Sequence, residues 1–266
     1  MGDISGNVQR FSGFAQVYNS VRPHPPAVLI DVLASIGGFA RPALVVDIGS
    51  GTGISTRIWA ERADRIIGIE PNADMRKQAV AATAAHNIEY IEGLSSDTGL
   101  DDACADVVTC AQALHWMEPG PTFAEIARIL RPGGVFAAYD CDWPPVLHWQ
   151  VQSAYEDCLC SAENIERRNK LSPHVRYWDK HGHAARMAES GCFTFVRDFA
   201  LHSVEEGNAE RLIGIALSQG GVQTVLKSGF SESDIGVPAL RAIAKRILGD
   251  TPSTWYLTYR VRLGIK

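Results

Sequence analysis

Residues 44–70 read LVVDIGSGTGISTRIWAERADRIIGIE, and this stretch decides the fold. An apolar run, Leu44 to Val46, ends in Asp47 and passes into three alternating glycines, Gly49, Gly51 and Gly53. An amphipathic segment follows (Ile54, Ile58, Trp59), then a second apolar run from Ile66 to Ile69 that closes on Glu70. The pattern predicts strand, tight turn, helix and strand, with an acid at the tip of each strand. Glycines let the backbone approach a ligand without interference from Cβ, and a helix N-terminus offers free N–H groups. An acid ending the second strand is placed to accept both hydroxyls of a ribose. The stretch reads as a nucleoside-cofactor site.

The glycine spacing separates two cofactor classes. A dinucleotide fingerprint needs a glycine three residues after the second one, where the pyrophosphate meets the helix. That place falls at Ile54, and the third glycine comes early, at Gly53. A carboxylate at Asp47 would repel pyrophosphate but suits a ligand carrying an ammonium and a sulfonium, and S-adenosylmethionine carries both. With Asp-x-Gly-x-Gly-x-Gly and Glu70 in place, the sequence resembles the class I S-adenosylmethionine-dependent methyltransferases. The resemblance implies an α/β, Rossmann-like, doubly wound sheet of seven strands, mostly parallel with the last strand antiparallel, under a helical cover. It also implies that Asp47, Gly49, Gly51, Gly53, Glu70 and the following Pro71 hold the cofactor, with S-adenosylhomocysteine as product.

Composition narrows the rest. The chain has 266 residues, 46% of them hydrophobic, enough to bury a substantial core and with no run long enough to span a bilayer. A formal charge of −5 gives no basic footprint for nucleic acid. The opening MGDISGNVQR lacks the apolar core of a signal peptide, and Gly6 stands where myristoylation wants Ser or Thr, so a cytoplasmic protein is expected. Six cysteines occur without a CxxC pair, and Cys158/Cys160 and His181/His183 lie two apart, a spacing that does not share a helix face. Reduced thiols and no local metal clamp are the expectation.

Ahead of the first strand, Phe11, Phe14, Ala15 and Tyr18 recur at helical spacing before the proline cluster at 23–26. The Tyr-x-x-x-Arg-Pro opening, Tyr18 to Pro23, is similar to that of small-molecule methyltransferases of the trans-aconitate type. There the segment closes over the cofactor pocket, which implies Tyr18 and Arg22 as acceptor-side residues. Val28 to Ile36 predicts a helix stopped by Gly37 and Gly38. Asn72 is a natural cap for a helix from Ala73 toward Ala85, with Met75 facing either the adenine edge or the core. Ile88 to Ile91 predicts a third strand leading to Leu94, Ser95 and Ser96. Related methyltransferases often carry an acid there for the adenine amine, and this chain has Ser96, which implies that backbone groups near Leu94 and Ser95, the Ser96 hydroxyl or the neighbouring Asp97 take that part.

Asp106 to Cys110 predicts a fourth strand entering AQALHWM, residues 111–117. Ligands of open α/β sheets bind beyond the carboxyl ends of strands. The string closely resembles the same methyltransferase subgroup, which implies Ala111, Gln112, His115 and Trp116 as cofactor contacts, the last two at the acceptor boundary. A tryptophan face attracts a desolvated sulfonium by ~2 kcal/mol. RILRPGGVF at 128–136 is a further class I string, its glycines turning a helix into a fifth strand that ends at Asp140. His115 and Asp140 are the candidate bases, Tyr18 joins them as a catalytic candidate, and Arg22, Trp143 and Gln219 are acceptor-binding candidates. Beyond 148 we expect a charged helix over 149–170, a strand over 193–201, an amphipathic helix over 210–226 bent at Gly220-Gly221, and a final strand over 255–265.

The chain thus reads as one methyltransferase domain, 1–266, with an N-terminal helical cap at 1–40 and substrate-cover insertions at 149–192 and 207–230. The expected activity is methyl transfer to a small-molecule acceptor, at a carboxylate or hydroxyl oxygen or an activated carbon. An NAD-dependent oxidoreductase and a non-methylating S-adenosylmethionine-binding protein (a sensor or cyclase) are the rivals. Oligomeric state is open.

Overall fold

In the computed structural model, which describes residues 5–266, seven strands form one sheet. They are β1 (Leu44–Ile48), β2 (Arg65–Ile69), β3 (Ile88–Ile91), β4 (Ala105–Ala111), β5 (Leu130–Cys141), β6 (Phe195–Gly207) and β7 (Ser253–Ile265), in the order β3-β2-β1-β4-β5-β7-β6. Pairings β3–β2, β2–β1, β1–β4 and β4–β5 are parallel, and β7 runs antiparallel to β5. The order reverses at β1, between β2 and β4, and this switch point is where the loops after β1 and β4 gather. The expected fold class holds.

The helices are α1 (Ser5–Gln9), α2 (Ala15–Val21), α3 (Val28–Gly37), α4 (Ile54–Arg57), α5 (Ala73–Ala81), α6 (Pro119–Ile129), α7 (Trp149–Arg168), α8 (His183–Glu189), α9 (Ala209–Leu217), α10 (Gly220–Lys227) and α11 (Val237–Ile247). Local signals set many of their ends. The Asn72 side chain accepts from Met75 N and caps α5, and Gly38 closes α3 in the left-handed conformation. The expected single helix over 210–226 is instead two, α9 and α10, parted at Ser218–Gln219. α5 stops at Ala81, four residues short of the expected end. The first four residues of the opening read for targeting signals lie outside the described residues.

Contacts divide the chain into two compact units. One comprises the N-terminal segment to Pro23, Asp142–Val175 and His202–Thr258; the other comprises His24–Cys141, Arg176–Leu201 and Tyr259–Lys266. Of the expected cap and insertions, 24–40 and 176–192 belong to the second unit and the remainder to the first. The second unit's core is built on the apolar centres of the strands, with Val46, Ile48, Ile67, Ile69, Val108 and Phe136 packed with Phe123 and Phe193. Strands covered on both faces read as continuous apolar runs, which is why 44–48 and 65–69 were plain in the sequence. The first unit packs α7, α9, α10 and α11 around Tyr155, Leu212, Val225, Leu240 and Trp255.

Candidate active site

The loop after β1 carries three glycines with positive φ, at 69°, 55° and 77° for Gly49, Gly51 and Gly53. Their surroundings differ. A Cβ on Gly49 would meet Met117 Cε at 2.7 Å and Ala113 Cβ at 2.8 Å, and one on Gly53 would collide with the Tyr90 hydroxyl. A Cβ on Gly51 would meet nothing within 4 Å. Gly49 and Gly53 therefore make room for the protein itself, and Gly51 faces open space where a ligand can lie against the backbone.

Glu70 follows β2 and is buried at the same place. Its Oε2 accepts from Gly51 N at 2.9 Å and its Oε1 from Asn72 N at 2.8 Å. Burial raises its pKa, opposed by those two backbone N–H groups and by Arg76. A carboxylate offers about four lone-pair sites, so each oxygen keeps acceptor capacity for a diol. Asp47 is placed differently from its expected ligand-facing position near the loop. It is fully buried within β1, with Oδ2 accepting from Thr56 Oγ1 at 2.6 Å and Oδ1 from Thr109 Oγ1 at 2.8 Å. Burial pushes its pKa up to about 6, against those two hydrogen bonds. The carboxylate ties β1 to α4 and β4 behind the loop. Met75 is buried and Pro71 half-buried.

Leu94 exchanges backbone hydrogen bonds with Asp97, and Ser95 Oγ pairs with Thr122 Oγ1 at 2.9 Å. Ser95 and Ser96 are half-buried, and their backbone N–H groups have no acceptor among the described residues, so they can donate to a ring nitrogen of an adenine. These features together (open space at Gly51, a buried diol acceptor, free donors near Ser95) fit an adenosyl cofactor.

The loop after β4 begins with Gln112 at φ 54°, a left-handed conformation uncommon for a residue with a side chain and frequent at functional sites. A short 3-10 turn, Leu114–Trp116, then buries His115. Its ring lies 4.8 Å from that of Trp116 and 5.3 Å from that of Tyr177, and the latter two are 5.5 Å apart. Trp178 N donates to the His115 carbonyl at 2.9 Å, which fixes the 177–180 segment against this turn.

Behind His115 stands Asp140 on β5. His115 Nδ1 lies 3.5 Å from Asp140 Oδ1, Lys180 Nζ lies 2.9 Å from the same oxygen, and Arg262 on β7 donates to Oδ2 at 2.8 Å. Burial acts to raise the Asp140 pKa, but His115 and Lys180 outweigh it and hold it below the usual carboxylate range. Burial pushes His115 down to about 4, with Asp140 opposing, so the imidazole is neutral at pH 7. His115 Nδ1 faces Asp140 from a buried position, whereas Nε2 has no hydrogen bond among the described residues. Lys180, Arg262 and Tyr177 were not singled out from the sequence, and His183 entered only as half of a pair unsuited to a local metal clamp. Tyr177, Lys180 and His183 lie in one short segment and Arg262 in the last strand, both far in sequence from His115 and Asp140.

The remaining expected residues lie in the first unit. Arg22 is buried, with Nε donating to Ser218 Oγ at 2.9 Å and Nη2 to Ser218 O at 2.9 Å and Gln219 Oε1 at 3.0 Å. Its guanidinium sits over the Tyr18 ring at 4.6 Å and the Trp143 ring at 4.8 Å. Gln219 Nε2 donates to Tyr155 Oη at 2.9 Å. The structure thus brings Tyr18, Arg22, Trp143 and Gln219 into one cluster, as it brings His115, Trp116 and Asp140 into another.

Comparison with known proteins agrees with this geometry. Residues 46–138 match the family model described as a methyltransferase domain. An uncharacterized methyltransferase of Mycobacterium tuberculosis is 34% identical over 124 residues, 47% of this chain and 49% of the relative. A probable S-adenosylmethionine-dependent methyltransferase of Saccharomyces cerevisiae is 31% identical over 125 residues, 45% and 43% of the two chains. The chain thus spans about half the length of the curated relatives it matches. Among solved structures, a Haemonchus contortus phosphoethanolamine N-methyltransferase with S-adenosylhomocysteine bound superposes with TM-score 0.56 at 13% identity, over 100% of this chain and 61% of that one. Residues 46–138 are thus similar to the methyltransferase domain family, and the fold is shared with this solved methyltransferase.

Proposed function

We propose that this protein transfers the methyl group of S-adenosylmethionine to a small-molecule acceptor at an oxygen or an activated carbon, with His115 as the proton acceptor where one is needed. The observation that carries the reading is the buried His115–Asp140 pair, which leaves Nε2 of a neutral imidazole free at the carboxyl end of β4. Bound S-adenosylmethionine supplies an electrophilic methyl on a sulfonium; Glu70, Gly51 and the Ser95–Ser96 backbone are the residues that would hold it. Asp140 orients the ring and stabilises the imidazolium formed when Nε2 takes a proton. Trp116 and Tyr177 flank the imidazole and limit water. A relative from Marinomonas, 29% identical over 130 residues, is named a malonyl-[acyl-carrier protein] O-methyltransferase, which supports an oxygen acceptor.

The test is to incubate the protein with S-adenosylmethionine and a metabolite library, following S-adenosylhomocysteine release and the methylated product by mass spectrometry. Turnover that falls about a hundredfold in His115→Gln, within the range general bases contribute, supports the assignment. Calorimetric binding of the cofactor without turnover on any acceptor would favour the sensor or cyclase reading, and undiminished turnover in His115→Gln would remove His115 as base.

A further inference from the structure

His115, Asp140 and His183 are buried and each offers a ligand atom within 4.8 Å of the others; His115 Nδ1, Asp140 Oδ1 and His183 Nε2 are buried without a hydrogen-bond partner among the described residues. Two imidazoles and a carboxylate at this spacing resemble the donor set of a divalent cation, but two features of the cluster oppose one. His183 Nδ1 lies 2.8 Å from Arg186 Nη2. A guanidinium only donates, so Nδ1 is the acceptor and Nε2 carries the proton, leaving no lone pair for a metal. The charge is also of the wrong sign. Asp140 is paired with two cations, Lys180 at 2.9 Å and Arg262 at 2.8 Å, so one minus stands against two plus at this carboxylate in the buried corner, and Arg186 beside His183 adds a further cation.

Such a corner is complete when a second anion enters it. Arg262 is already committed, bonding Asp140 and the carbonyls of Arg260 and Lys180, both at 3.2 Å. Lys180 is the outer cation, with about a quarter of its side chain exposed. Its ammonium has three donors; it forms an ion pair with Asp140 Oδ1 at 2.9 Å and donates to Gln112 Oε1 at 3.4 Å. One donor and the excess charge remain available, and the Trp178–His115 backbone bond holds this segment in place.

We propose that Lys180 binds an anionic group of the methyl acceptor, a carboxylate or a comparably acidic oxygen, beside His115. The inference rests on reading the His115 corner as the acceptor side. It agrees with the chemistry of His115: an imidazole that holds a proton weakly serves acidic acceptors, and an acceptor ionised at neutral pH needs no base.

The test uses the protein loaded with S-adenosylhomocysteine at constant ionic strength. Benzoate, benzyl alcohol and benzylamine, three probes of one shape suited to the His115–Trp116–Tyr177 rings, are titrated while the His115 imidazole NMR signals are followed. Benzoate alone should bind. Lys180→Met should weaken it by about tenfold or more, as loss of a charged hydrogen bond implies, and Lys180→Arg should restore most of the affinity. Equal binding of the alcohol or amine, no binding of benzoate, or wild-type benzoate affinity in Lys180→Met would overturn the proposal. So would stoichiometric zinc binding that is lost in His183→Ala. If Lys180→Met keeps its benzoate affinity while His115→Gln loses turnover, the anion site fails and the reading of the active site stands. The opposite pair of results removes His115 as base and keeps the anion site.

Discussion

Changing Glu70 to glutamine tests the cofactor site at its most defined point. The carboxylate bonds two backbone N–H groups, Gly51 on Oε2 and Asn72 on Oε1, and would accept the two ribose hydroxyls with its remaining lone pairs. An amide keeps one oxygen. Whichever way it turns, one backbone N–H then faces another donor, and one hydroxyl loses its acceptor. A hydrogen bond to a charged group contributes about 1.5–3 kcal/mol, so losing one on the ligand side weakens binding by roughly 10- to 150-fold. The assay is calorimetric titration of S-adenosylhomocysteine and of its 2′,3′-dideoxy analogue against wild type and Glu70→Gln. If Glu70 holds the diol, the substitution costs much for the natural ligand and little for the analogue. Equal losses for both ligands would show that Glu70 acts only by anchoring Gly51, and unchanged affinity would remove it from the site. Because burial raises the Glu70 pKa, wild-type affinity should begin to fall at a higher pH than a free glutamate would dictate, and the variant should lack that part of the dependence.

Gly51→Ala should fold with a modest loss of stability, about 1–2 kcal/mol for a side chain in the left-handed region, because its Cβ meets no protein atom within 4 Å; cofactor binding should be lost, and normal binding would assign the glycine to the turn alone. Asp47 has a folded pKa of about 6 against an ordinary value of 3.8, so its contribution is present below pH ~4 and declines as pH rises through 6, by about 3 kcal/mol; Asp47→Asn should flatten that slope in urea unfolding, and an unchanged slope would contradict the assignment. His115 behaves oppositely: its pKa is depressed to about 4 from 6.5, so its contribution is full above pH ~6.5 and is lost as pH falls toward 4, again by about 3 kcal/mol, a loss that His115→Gln should reduce in the same experiment. Arg22→Ala should lower the melting temperature markedly, since three hydrogen bonds and two ring contacts are removed from a buried site; a melting temperature within a degree or so of wild type would make the cluster dispensable for folding.

What the sequence disclosed follows the range of the forces involved. β1 and β2 were legible because each is an apolar run bounded by turn residues, and the α5 start because Asn72 acts on a backbone group three residues away. The break between α9 and α10 was not, since Ser218 gives both its hydroxyl and its carbonyl to Arg22, 196 residues earlier. Gly220 and Gly221 suggested a bend, but the interruption lies before them. α11 has an amphipathic face and a proline in its first turn, both local signals. Asp47 shows the limit of position as a guide: it sits one residue before the end of β1, yet strand alternation and two threonine hydroxyls turn its carboxylate into the interior.

The site followed the same rule. His115 and Asp140 were visible because one lies in the loop after a strand and the other near a strand's end, but their chemistry depends on residues that only the fold assembles. Without Lys180 and Arg262, Asp140 would be a buried anion beside a histidine, and the pair would favour a protonated ring and a cationic ligand. With both present, Asp140 is more than neutralised, burial keeps His115 uncharged, and the surplus charge selects for an anion. The sign of the site's preference is therefore set by Lys180 and Arg262, which reach Asp140 from 40 and 122 residues further along the chain. Replacing either by a neutral residue should shift ligand preference while leaving the sheet intact, because the exchange alters charge at the strand ends and leaves the apolar centres of β4 and β5 untouched.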